Sequence, residues 1–308
     1  MRILIEVPTW LGDCVMATPA IDNILYFYND AELTLIGSSN SIEVIQFHPK
    51  VVNRFVLSKK YIELYRTSRA LGKFDIFFSF RGSLRSNILR LLISSKKSYQ
   101  FNKSKYSYGH QVEKYNQFVE ESLGFKQKAR KLNISNSGLK YKSEFPLLGI
   151  NPGASYGSAK CWPHERFIEV ATTLSKKFHI LIFGGINEVG LSEKIEQGLK
   201  ENNCRNFTNL TGKTTIKELI GFISSLDLFI TGDSGPMHIA AALEIPTVSI
   251  FGPTKVHETC QWMNTKSSIV MKDLPCQPCM KRVCPYKHHH CMNKISAKEV
   301  VDSALNLI

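Results

Sequence analysis

The chain has 308 residues, 43% hydrophobic and 21% charged, which is the balance of a folded protein with room for two domains and not of a disordered one. No apolar run reaches the ~18 residues of a membrane span, and Glu6 and Asp13 interrupt the N-terminus before a secretory signal could form, so a cytoplasmic protein is expected. The net charge of +13 is uneven, with 22 Lys and Arg against 12 Asp and Glu in residues 1–147 and 17 against 14 in residues 148–308; this leaves a solubilising surface or an anionic ligand or membrane, with nucleic acid last for want of a motif.

The first predicted strand is "RILIEV", and "PTWLGD" follows it, so Gly12 and Asp13 stand in a turn at the strand's end. In an open α/β sheet that end faces the ligand crevice, where a carboxylate serves as a helix cap or as a base. A helix is expected from about Cys14 to Tyr28. Strands follow at "AELTLIGS", "NRFVLS" and "FDIFFSF", separated by helical or loop sequence, the order of βαβ units around a parallel sheet. The basic, Ser- and Tyr-rich stretch over 96–117 reads as a loop leading into a helix. The apolar pattern thins over "KLNISNSGLKYKSEF", which predicts a linker and domains over 1–146 and 147–308.

The second half repeats the alternation. "LLGINPG", "HILIFGG", "NFTNLTG", "LDLFITG" and "PTVSIFG" read as strands, and "ERFIEVATTLSKK", "TIKELIGFISSL" and "MHIAAALE" as helices; "ISAKEVVDSALNL" closes the chain as a helix starting near Ser296 or Ala297. Two doubly wound α/β domains facing each other across a cleft are the expected architecture.

Three loops in this half carry chemistry. In "TGDSGPMH" a buried strand gives way to a helix at Asp233-Ser234-Gly235. Free N–H groups and partial positive charge suit such a helix start to phosphate, although Asp233 and Ser234 could simply cap it. "NPGASYGSAKCWP" is rich in Gly and Ser, with Ser155 and Ser158 as donors and Lys160 as its one charge, a combination that fits a diphosphate without being a Walker loop. In "FGGINE", Glu188 follows a strand, as ribose-binding acids do, or else starts a helix. All three loops fall on the carboxyl edge of one sheet, and together they point to a nucleoside-diphosphate site.

With those motifs in hand, the chain resembles the glycosyltransferase family 9 heptosyltransferases over essentially its whole length. The resemblance is most specific in "PTWLGDCVMATPAI", "PGASYGSAKCWP", "GDSGPMHIAAALEIPTVSIFGPT" and "PCQPCMKRVCPYKHHHCM". It implies a GT-B fold, an acceptor-binding first domain and a donor-binding second domain. It also implies inverting, metal-independent transfer of heptose from ADP-L-glycero-β-D-manno-heptose to the first heptose of the lipopolysaccharide inner core; another core position is the alternative. No cofactor and no catalytic metal are expected. Asp13 matches the family's base and Lys160 its diphosphate-neutralising lysine. Glu188 matches the ribose-binding acid, and Asp233, Ser234, Gly235 and His238 match the phosphate-binding turn and helix. Ser155 and Ser158 lie where relatives use hydroxyls. An acceptor of heptosyl-Kdo-lipid A type is anionic and membrane-anchored, which gives Gly12, Arg81, Arg85, His110 and "KKSYQFNKSK" a reading as acceptor contacts. It also implies a peripheral protein on the anionic cytoplasmic face of the inner membrane.

The C-x2-C-x4-C-x6-C run of Cys276, Cys279, Cys284 and Cys291, with His288 to His290 beside it, has by itself the spacing of a structural zinc site. Similar cysteine-rich tails occur in the family, whose transfer chemistry uses no metal, so a metal held there would be structural.

Overall fold

The computed structural model describes residues 1–135 and 138–308. The chain divides into two compact units, Met1–Ser135 and Asn136–Ile308, earlier than the expected boundary before Leu147. Residues ahead of Leu147 are tied into the second unit, because Lys140 donates to the Ser224 carbonyl and the Tyr141 hydroxyl meets that of Thr208.

The first unit runs β1 (Arg2–Glu6), α1 (Leu11–Met16), α2 (Thr18–Phe27), β2 (Glu32–Gly37), α3 (Ser39–Ile45), β3 (Val51–Val56), α4 (Tyr61–Ala70), β4 (Lys73–Ser79), α5 (Leu84–Leu92), β5 (Ser94–Gln100) and α6 (Gln111–Leu123). Its sheet has the order β3-β2-β1-β4-β5, with every pair parallel. The central β1 is buried after Arg2, as a strand covered on both faces must be. Leu64 and Leu89, from α4 and α5, pack with Leu4 and Phe77 of the sheet.

Two local expectations change here. The single helix expected from Cys14 is two, broken at Ala17 with Pro19 in the first turn of the second, where proline's missing N–H costs nothing. The first of them starts at Leu11, so Gly12 and Asp13 are already helical. The stretch read as a loop begins with β5, whose residues "SSKKSYQ" lie half-buried or exposed at the sheet edge.

The second unit runs β6 (Leu147–Asn151), α7 (His164–Leu174), β7 (His179–Ile182), α8 (Val189–Glu201), β8 (Phe207–Asn209), α9 (Ile216–Ile223), β9 (Leu228–Gly232), α10 (Gly235–Ala242), β10 (Thr247–Ile250), α11 (Val256–Thr259), β11 (Ser267–Val270), α12 (His290–Asn293) and α13 (Ala297–Leu305). The sheet order is β11-β10-β9-β6-β7-β8, again parallel throughout. Ser296 caps α13 in a reciprocal box with Glu299. Among the described residues no helix is long and apolar enough to cross a membrane.

Both sheets reverse strand order beside their first strand. In the first unit the switch lies between β1 and β4, in the second between β6 and β9. Loops leaving such a pair diverge and open a crevice at the carboxyl edge. The helix start after β1 carries Asp13 and the loop after β4 carries Arg81; the loops after β6 and β9 carry Lys160 and Asp233.

Candidate active site

In the second unit the β6/β9 adjacency joins two residues far apart in sequence. The Lys160 Nζ lies 2.5 Å from Asp233 Oδ2 and 3.1 Å from the Asp233 carbonyl. The pair is largely buried, with side chains 12% and 5% exposed. The Thr254 hydroxyl donates to the same Oδ2 at 2.7 Å. Asp233 is therefore the counter-ion that aims Lys160; a carboxylate would repel a phosphate rather than bind it.

Ser234 is the N-cap of α10 in extended conformation, but its side chain makes no capping bond. Its Oγ lies 3.0 Å from Thr231 Oγ1 and 3.5 Å from Asn151 Nδ2 instead. The half-buried Ser234–Pro236 turn thus leaves the positive end of α10 without a side-chain cap, as an anion site requires. Gly235 begins this helix, and His238 is buried within it. Glu188 ends a 3-10 turn after β7 and accepts from the Gly185 N–H at 2.7 Å. It also lies against Gly153: a Cβ there would stand 2.1 Å from the Glu188 carboxyl carbon, so a larger residue at 153 would push the Glu188 carboxylate out of this position. The loop in front is more open, with Ser155 and Ser158 exposed.

The cysteine-rich segment has a role that its spacing did not reveal. The Ala159 N–H donates to the Arg282 carbonyl at 3.0 Å, Tyr156 Oη donates to the Met280 carbonyl at 2.8 Å, and His289 Nε2 lies 2.9 Å from the Ala159 carbonyl. The Lys160 ammonium stands 4.8 Å over the Tyr156 ring. The segment therefore clamps the loop that carries Lys160. Its four thiols are free and line one small cavity with His288 and His289. Burial first, then the three neighbouring sulfurs, push the Cys291 thiol up to about 11. Among the described residues no three His, Cys, Asp or Glu are set to hold a metal ion.

In the first unit Gly12 and Asp13 occupy the first turn of α1 behind Trp10, which makes no side-chain cap. An acid in that turn is favoured by the helix dipole. Asp13 is half-buried. Burial first, and the Asp13 charge second, raise both the Cys14 thiol and the Tyr115 phenol, so the groups behind Asp13 stay neutral. Trp10, which sequence reasoning left without a role, is 50% exposed beside it.

Arg81 follows β4 and pairs with Glu6 Oε1 at 3.2 Å. Glu6 is fully buried at the end of β1 and also accepts from Ser79 at 2.5 Å and Ser86 at 3.0 Å. An acid in an apolar strand gives no sequence signal that it anchors an arginine. Arg85 turns to the carbonyls of Ser58 and Lys59. His110 is buried as the N-cap of α6, accepting from Val112 while Glu113 caps in return, so this expected acceptor contact is spent on holding a helix start.

The model of glycosyltransferase family 9 (heptosyltransferase) matches residues 71–290. Lipooligosaccharide heptosyltransferase 2 of Campylobacter jejuni serotype O:2 is 43% identical over all of this chain and 98% of the relative; its counterpart in Haemophilus influenzae is 26% identical over 84% and 85%. The solved structure of Escherichia coli ADP-heptose LPS heptosyltransferase II superposes with a TM-score of 0.82 at 20% identity, covering 100% of this chain and 98% of that one.

Proposed function

The chain belongs to glycosyltransferase family 9, the heptosyltransferases, and from that premise we propose that it is a heptosyltransferase II with the GT-B fold. In this reading it moves heptose from ADP-L-glycero-β-D-manno-heptose to the first heptose of the lipopolysaccharide or lipooligosaccharide inner core. The observation that carries the assignment is the Lys160–Asp233 pair beside the uncapped start of α10, within a chain whose full-length relatives are named for this step.

The second unit takes the donor. Lys160 and the N–H groups at Gly235 and Ser234 meet the diphosphate, Glu188 the ribose hydroxyls, and Ser155 and Ser158 stand at the open side. His238 supports the helix from within. The first unit takes the acceptor, with Asp13 as base, Gly12 next to it in the chain and Arg81 on the same carboxyl edge of the sheet. Asp13 accepts the proton of the acceptor hydroxyl while its oxygen attacks the anomeric carbon. The bond from that carbon to the diphosphate oxygen breaks, ADP leaves with the electron pair, and configuration inverts. Negative charge grows on the departing diphosphate, where Lys160 and the helix start offset it; transfer is accordingly expected to persist in EDTA. The acceptor is a heptosyl-Kdo-lipid A, so the enzyme works as a peripheral protein on the cytoplasmic face of the inner membrane, aided by its basic first half.

Asp13→Asn tests the assignment of the base. Turnover should fall about 100-fold or more, while ADP binding by calorimetry stays within twofold of wild type. A variant that keeps full turnover would remove Asp13 from the chemistry.

A further inference from the structure

One group of large apolar side chains left in solvent lies on the first unit. Val56 ends β3, Tyr61, Ile62 and Tyr65 occupy the first turns of α4, and Leu84 starts α5; they are 57%, 57%, 60%, 51% and 73% exposed. All five lie toward the carboxyl edge of the sheet, because a helix following a parallel strand begins there. The two helix starts form one surface. Arg85 of α5 binds the carbonyls of Ser58 and Lys59, and its guanidinium stands 5.3 Å from the Tyr61 ring centroid.

Cations stand at the same edge: Lys59 and Lys60 precede α4, Arg81 follows β4 and Arg85 lies in the first turn of α5, within a segment, residues 57–97, that holds ten Lys and Arg against two Asp and Glu. Lys59 and Lys60 are exposed between Val56 and Tyr61. Aliphatic and tyrosine side chains interleaved with Lys and Arg suit the headgroup layer of an anionic bilayer, where the rings and alkyl groups leave water and the cations meet phosphate. A second copy is the poorer occupant, since it would press one strongly basic rim against another.

We propose that the rim formed by Val56, Tyr61, Ile62, Tyr65 and Leu84, with Lys59 and Lys60, is the face by which this protein docks on an anionic membrane. The inference rests on the reading of the acceptor as lipid-anchored and adds the surface that meets the lipid. The carboxyl edge that bears the rim also bears Asp13 and Arg81, so docking here brings the base toward the plane in which the acceptor is embedded.

The test is co-sedimentation of the full chain with vesicles of phosphatidylglycerol and phosphatidylethanolamine, with phosphatidylcholine vesicles as the neutral control. Three proteins are compared: wild type, the double variant Ile62→Ser/Leu84→Ser, and Leu91→Ser. Leu91 is 81% exposed but lies at the far end of α5, so it controls for loss of any exposed leucine. Wild type and Leu91→Ser should bind anionic vesicles and release in salt, and the double variant should partition about tenfold less. Transfer to acceptor embedded in those vesicles should fall in parallel, with transfer to deacylated acceptor in solution unchanged. Equal vesicle binding by all three would overturn the docking face. So would a double variant that loses only self-association, which would give the rim to a second copy. Vesicle binding that tracks the variants supports the face even where no acceptor turns over, an outcome that would count against the enzymatic reading alone.

Discussion

Each unit sets one carboxylate against one cation at the switch point of its sheet, and the two pairs differ in where the acid sits. Glu6 is part of a central strand, fully buried, and receives two hydroxyls and a guanidinium. Asp233 lies one residue beyond its strand and receives a lysine and one hydroxyl at the mouth of a helix. An acid fixed in a strand holds its partner in place, whereas an acid on a turn can share its partner with an incoming anion. The first arrangement builds a positioned arginine. The second holds a lysine at the mouth of a helix, which the proposed function assigns to the diphosphate.

Lys160→Met should break that contrast most severely. It removes the charge facing the diphosphate and leaves Asp233 buried without its ion pair. A loss of about 100-fold in kcat/KM is expected, with about 3 kcal/mol of stability read by denaturant melts. Adding Asp233→Asn should restore much of the stability and none of the activity; recovery of activity would mean that Lys160 is only structural.

Glu6→Ala sharpens the other side of the comparison. It strands Arg81 and two hydroxyls and should cost about 2 kcal/mol, with acceptor KM rising more than kcat falls. The pH dependence has a definite sign. Burial, outweighing the Ser79 bond and the Arg81 charge, raises Glu6 above its ordinary value of 4.5. Its contribution is therefore complete below 4.5 and is lost as pH rises through the raised folded value. Melting temperature against pH for wild type and Glu6→Gln checks this, since wild type should lose ground to the variant as pH rises from 4.5. Parallel curves would mean that burial does not dominate.

The smallest expected effect is at Glu299, where the sign reverses. The Lys272 ammonium and the N-cap bonds of Ser296 hold it at about 2. It stabilises the fold above 4.5 and ceases to as pH falls toward 2. Glu299→Gln should lower the melting temperature slightly across the neutral region and flatten the acid limb, with the two curves converging as pH falls toward 2.

How much of this the sequence disclosed depended on burial. β1, β6 and β9 are apolar runs in the sheet interior and read directly from the sequence. β5 and β11 are edge strands, half-buried or exposed, and an edge strand has no need of an apolar signature. The carboxyl-edge loops could be found individually, because Gly, Ser and a lone charge after a strand are local signals. Their pairing was hidden. Lys160 meets Asp233 only because β9 lies beside β6, and Glu6 meets Arg81 only because β4 lies beside β1; strand order leaves no mark in local periodicity. His110 shows the converse, a titratable side chain in a basic stretch that the fold uses as a cap.

The most direct measurement of the central claim is ADP release by the purified protein with ADP-heptose in EDTA, using lipid A-core acceptors that carry zero, one or two heptoses. Turnover is expected with the one-heptose acceptor alone. Turnover only with another acceptor would move the chain to a different step of core assembly. Bound ADP with no turnover on any of them would contradict the assignment of donor and acceptor.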